Sequence, residues 1–147
     1  MRTGRADAPP GLCGVAFTPP PGTGPRLRGA EVVDLLAALN TGHEGGCGTL
    51  HANGAGDVPA RLEALAAVAG LSRLALHSQL ASGLRLVIHL GRDRASGRRR
   101  VTEVCTLGRG EDGLVRAEQA WTWDGTGSSG APGPGASVLA DLLVGVA

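Results

Sequence analysis

The densest run of chemically capable side chains is residues 28–53, RGAEVVDLLAALNTGHEGGCGTLHAN. It holds His43, Cys47 and His51, with acidic side chains near its turns. Two chemistries follow from residue type alone. The three ligand-type residues stand four apart each, and imidazole with thiolate suits zinc. The glycines between them oppose the continuous helix that would align that spacing, and no fourth ligand is evident. Cys47 with His43 or His51 could also form a thiolate nucleophile. Against that stands the commoner role of cysteine as a small buried hydrophobe.

A third reading rests on motif order. Arg28–Gly29–Ala30–Glu31 spells R-G-x-E, and Asn40–Thr41–Gly42–His43 spells N-T-G-H. Gly48–Thr49–Leu50–His51–Ala52–Asn53 spells G-T-x-H-A-N, and Asp57–Val58–Pro59–Ala60–Arg61–Leu62–Glu63 continues the block. In this order the segment resembles the secretion ATPases of the type II/type IV traffic family. It looks most like the branch that powers Tad/Flp pilus assembly and conjugal-transfer-type secretion. The likeness covers about residues 27–107, and 28–63 is its most specific stretch.

That resemblance implies an α/β fold, a RecA-like P-loop NTPase domain active as a hexamer of homologous ATPase subunits. It implies ATP and Mg2+ as cofactors, with hydrolysis coupled to pilus assembly or protein export. The implied partner is an inner-membrane pilus or secretion platform protein. The implied location is cytoplasmic, peripheral at the inner membrane, and no nucleic acid is expected. Thr49 and His51 fall in the family's histidine box as nucleotide-sensing candidates, with Arg28, Glu31 and His43 in support. A histidine at the carboxyl end of a sheet strand can face the crevice where α/β sheets bind ligands, and can there report loss of a terminal phosphate. Thr49 can lend a hydroxyl and Glu31 can orient its neighbours. His43 can equally be a surface loop residue.

Two parts of that chemistry are missing from the sequence. The family's Walker B glutamate lies in G-E-x-R-G; here the register reads Pro25–Arg26–Leu27–Arg28–Gly29, and arginine cannot accept a proton. All 14 basic residues are arginine, so there is no lysine to reach the β- and γ-phosphates of a nucleotide. Gly22–Thr23–Gly24 superficially resembles the end of a phosphate loop. Pro25 follows where the lysine belongs, and proline lacks the N–H that cradles phosphate. The expectation is the C-terminal part of such a domain, its Walker A half missing through truncation, frameshift or a misplaced start, and not hydrolytic alone. The alternatives are a non-catalytic interaction module that docks on intact ATPase subunits, and a zinc-binding protein.

The elements that must position these residues follow from periodicity. Residues 30–39 carry Val32, Val33, Leu35, Leu36 and Leu39 at helical spacing, with Gly42 as a left-handed cap. Residues 49–52 read as a short buried strand ending at Asn53–Gly54. Asp57 reads as the cap of a helix over 58–69, with Leu62, Leu65 and Val68 inward and Gly70 beyond its end. Ser72 caps a helix over 73–82, with Leu76 and Leu80 inward. Residues 84–90 alternate, placing Leu84, Leu86, Ile88 and Leu90 on one face and Arg85 and His89 on the other. A charged hairpin loop at 91–100 leads to strands at 101–107 and 114–122, joined by the Glu111–Asp112–Gly113 turn. These complete a small antiparallel β-meander. Residues 125–135 read as a Gly/Ser/Pro linker before a helix over 136–144.

Composition sets the outer limits. The chain has 147 residues, one domain's worth, with 25 glycines and 9 prolines. Pro9, Pro10, Pro19, Pro20, Pro21 and Pro25 predict an irregular segment over 1–26, in which the apolar patch Leu12–Phe17 is too isolated to form a core. Residues 27–124 then form the ATPase portion and 125–147 the linker and terminal helix. No apolar run reaches the roughly 20 residues of a membrane span. A net charge of +1 gives no general case for nucleic acid, and three cysteines argue against a disulfide scaffold. Arg98–Arg99–Arg100 reads as solvated, and Trp121 and Trp123 share one strand face as packing residues. With the upstream sheet missing, the apolar stripe of residues 32–39 is expected to lie exposed.

Overall fold

The computed structural model describes residues 15–18, 27–41 and 47–144. The expectations at Pro9, Pro10, Pro19–Pro21, Pro25, Arg26, Gly42 and His43 fall outside the described residues. The first helix, α1 (Ala30–Asn40), buries Val32, Leu36 and Leu39, which recur at one-turn intervals. The second, α2 (Val58–Val68), ends in paired capping bonds: Leu71 N–H donates to Ala66 and Gly70 N–H to Ala67. Gly70 takes the left-handed φ of 80° that this termination requires. The third, α3 (Arg73–Gly83), is capped by Ser72, whose hydroxyl accepts the Ala75 N–H, and it buries Leu76 and Leu80 completely.

Among the described residues one mixed sheet runs through the molecule. Its strands are β1 (Val15–Thr18), β2 (Cys47–Thr49), β3 (Leu86–Arg92), β4 (Arg99–Arg109), β5 (Val115–Trp123) and β6 (Gly130–Pro132), in the order β2-β1-β3-β4-β5-β6. β1 is parallel to both β2 and β3, whereas β3 to β6 are antiparallel in sequence order. Helices α1 to α3 cover one face, where Val87, Cys105 and Val115 join their apolar side chains in one core. The last helix, α4 (Ala136–Val144), lies against β5. Gly135 comes so close to the Thr106 hydroxyl, on the opposite sheet face, that a Cβ there would sit 2.6 Å from it.

Several expectations are corrected here. Residues 15–18 form a strand in the sheet interior rather than irregular chain. Parallel pairing with β2 and β3, which in register lie 32 and 71 residues downstream, overrides the prolines on either side of β1 in sequence. The stripe on α1 is covered by α2 and α3 rather than exposed. Each such burial is worth roughly 1.5–3 kcal/mol. Val68 is 83% exposed although it continues the spacing of Leu62 and Leu65, which corrects its expected inward place. Of the β3 residues it is Val87 that enters the helix-facing core; Leu86 is buried outside that core, and Ile88 and Leu90 are half-buried, which corrects the expected apolar face. The hairpin loop is shorter than 91–100, because pairing continues to Arg92 and Arg99. The linker over 125–135 contains β6, an edge strand held by Trp121 to Trp123.

Candidate functional site

The strand expected over 49–52 stops at Thr49, so His51 lies in the loop beyond its carboxyl end. Gly48 sits beneath α1: a Cβ there would come within 2.6 Å of Leu35 Cδ2. That close approach seats the helix directly over the strand. Leu50 is buried and anchors the loop, leaving His51 exposed. After Asn53–Gly54 the chain enters a short 3-10 turn, Ala55–Asp57, that runs into α2. Asp57 closes this turn and its side chain makes no capping bond, correcting its expected role. The carboxylate of Glu103, on β4, takes that part instead: it accepts the Ala55 N–H at 2.8 Å.

His51, Asn53, Asp57 and Arg61 line one open cleft of about 600 Å³, whose floor includes Ala60 and Ala64. It lies just past the carboxyl end of β2, at the start of α2. Its donors are an imidazole, a carboxamide and a guanidinium; its one carboxylate is Asp57. This set can bind an anionic oxygen.

The other sequence candidates play different parts. The Arg28 N–H donates to Glu31 Oε2 at 2.8 Å, so Glu31 closes the first turn of α1, where a carboxylate also complements the helix dipole. The Leu27 N–H donates to the Thr49 carbonyl at 3.1 Å, which stitches the segment before α1 to β2. Neither Arg28, Glu31 nor Thr49 lines the cleft. Asn40 Nδ2 donates to the carbonyls of Leu36, at 2.8 Å, and Gln79, at 3.1 Å, tying α1 to α3. The Thr41 hydroxyl donates to Ala37 at 2.9 Å. The described half of N-T-G-H thus serves packing, and His43 lies outside the described residues. Cys47 is exposed and Cys105 is the buried one, its thiol pushed up to about 11 by burial. Among the described residues no three ligand-type side chains converge on a metal position.

The sequence reading missed a second histidine. His77, on α3, is 1% exposed. Its Nδ1 accepts the Val115 N–H at 2.8 Å, so that nitrogen carries no proton. Its Nε2 therefore bears the hydrogen and donates to Glu63 Oε1 at 2.7 Å. Glu63 also pairs with Arg73 Nε at 3.1 Å. The hydrogen bond from His77 holds the Glu63 carboxyl below its ordinary value, with help from Arg73. This network ties α2, α3 and β5 and borders a smaller cleft of about 380 Å³.

Residues 26–95 match the family model for type II/IV secretion system proteins. Two relatives of Mycobacterium tuberculosis, from strains CDC 1551 / Oshkosh and ATCC 25618 / H37Rv, are both named in terms of conjugal transfer. Each is 61% identical over 98 residues, or 67% of this chain. The chain spans 27% of the length of each.

Proposed function

We propose that residues 27–107 form the histidine-box side of a RecA-like secretion ATPase domain of the Tad/Flp type, which does not hydrolyse ATP alone. The observation that carries this reading is the opening of His51 onto a cleft just past the carboxyl end of the parallel strand β2, within the ordered motif block Arg28–Glu63. The secretion-family match over residues 26–95 supports it. In this reading His51 and Arg61 face the terminal phosphate of a nucleotide. Glu103 holds the loop that presents them, and Glu31 fixes the start of α1. Partner subunits of a hexameric ring and an inner-membrane platform protein complete the working assembly.

A whole ATP–magnesium site does not fit the residues present. The cleft offers donors for one anionic group, but the sequence has no lysine, and Arg26 holds the position of the acid that would orient water. Purified chain incubated with ATP and magnesium should therefore release no phosphate above the blank. Phosphate release that requires magnesium and vanishes in His51→Ala would overturn this conclusion.

A further inference from the structure

Charge in this chain is segregated. Residues 92–100 hold five arginines and one aspartate, a net +4; with 14 arginines and 13 acids in all, the remainder is −3. The single acid is consumed within the hairpin. Asp93 accepts the Ala95 N–H at 2.9 Å, the Ser96 hydroxyl at 2.5 Å and the Arg100 guanidinium at 3.2 Å. Arg100 is withdrawn from solvent: it stacks 4.1 Å from the Trp123 ring centroid and donates to the Gly127 carbonyl. That corrects the solvated reading for this one arginine of the run. Arg92, Arg94, Arg98 and Arg99 stay exposed.

The tip that carries them is firmly built. The Asp93 N–H donates to Arg98 O and the Gly97 N–H to Asp93 O, both at 2.8 Å. Arg92 and Arg99 are direct cross-strand partners, hence on the same face. Like charges so placed destabilise a hairpin. A hairpin that only reversed the chain would gain by losing one of them.

A projecting cationic tip on an otherwise acidic molecule fits a flat anionic surface. A long nucleic acid would continue past the tip over the acidic remainder, whereas a bilayer meets the tip alone. We propose that the β3–β4 hairpin docks this chain on an anionic bilayer, with the guanidiniums of Arg92, Arg94, Arg98 and Arg99 on lipid phosphates. The proposal stands on the hairpin alone and does not depend on the nucleotide reading.

The test is co-sedimentation of the full chain with phosphatidylcholine vesicles, with and without phosphatidylglycerol, at near-physiological salt. Binding should require phosphatidylglycerol. Each single Arg→Ala change among the four should weaken it about fivefold, from the worth of one arginine near such a surface. Replacing all four should abolish it. Arg99→Glu turns a like-charge pair into an opposite one, so it should melt no lower than wild type and still lose at least as much binding as Arg99→Ala. The loop-only pair Arg94→Ala with Arg98→Ala leaves the strands untouched and should lose about 25-fold, if the two arginines act independently. Equal binding to both vesicle types, binding to neither, or retention by the fourfold variant would overturn the proposal. So would tighter binding to a single-stranded oligonucleotide than to phosphatidylglycerol vesicles.

Discussion

The helix α2 borders two clefts, with Ala60 lining both, and they treat their histidines in opposite ways. On one side His51 stands exposed beside Asn53 and Arg61. On the other His77 is buried, with each ring nitrogen engaged. A buried polar group is tolerated when its bonds are made, and losing one partner costs more than the bond itself contributed. His77 therefore ties the fold together through Glu63 and Val115. His51 lines an open cleft instead, and in the proposed reading it is the histidine that meets a ligand. Burial with satisfied bonds marks His77 as a structural residue.

The comparison breaks if the two histidines matter equally to stability. His77→Ala removes a buried ring and strands the Val115 N–H, and should cost about 3 kcal/mol. His51→Ala should cost less than about 0.5 kcal/mol, as a surface change does. Denaturant midpoints at constant slope measure both. Gly48→Ala tests the packing that seats α1 over β2. The added methyl must displace Leu35, so a loss of about 1–3 kcal/mol in thermal unfolding is expected.

Smaller effects sharpen the picture. Asn40→Ala should cost about 1 kcal/mol by losing its bridge between α1 and α3. Glu63→Gln addresses pH. The folded Glu63 carboxyl lies below its ordinary value of 4.5. Its stabilisation is therefore present above that pH and is lost as pH falls through the lower, folded value. Wild type should lead Glu63→Gln by less than about 1 kcal/mol at neutral pH, given the partial exposure of the pair. That lead should shrink in urea titrations run below pH 4.5.

Locally determined features were legible in the sequence. The apolar spacing of α1, the Ser72 cap, Gly70 and the Glu111–Asp112–Gly113 turn each act within a few residues, and each is found. What escaped depends on distant partners. β1 is short and proline-flanked, and gains its identity from pairing with β2 and β3. β6 has no apolar alternation and exists by pairing with the end of β5. The cleft was half legible: the motif block marked His51, while Asn53 and Arg61 join it only through the turn into α2. Glu103 reaches Ala55 from 48 residues away, and nothing around it in sequence signals that role. The partners of His77 lie 14 and 38 residues away. Its only local hints were the helical spacing to Arg73 and Leu80.

The contrast between the two histidines can be measured directly by diethylpyrocarbonate modification of the folded chain, read per peptide by mass spectrometry. His51 should be modified at the rate of an exposed imidazole. His77 should stay unmodified until denaturant unfolds the protein. Modification of His77 at the rate of His51 under native conditions would contradict the account, because a ring engaged at both nitrogens and closed from solvent cannot react so fast.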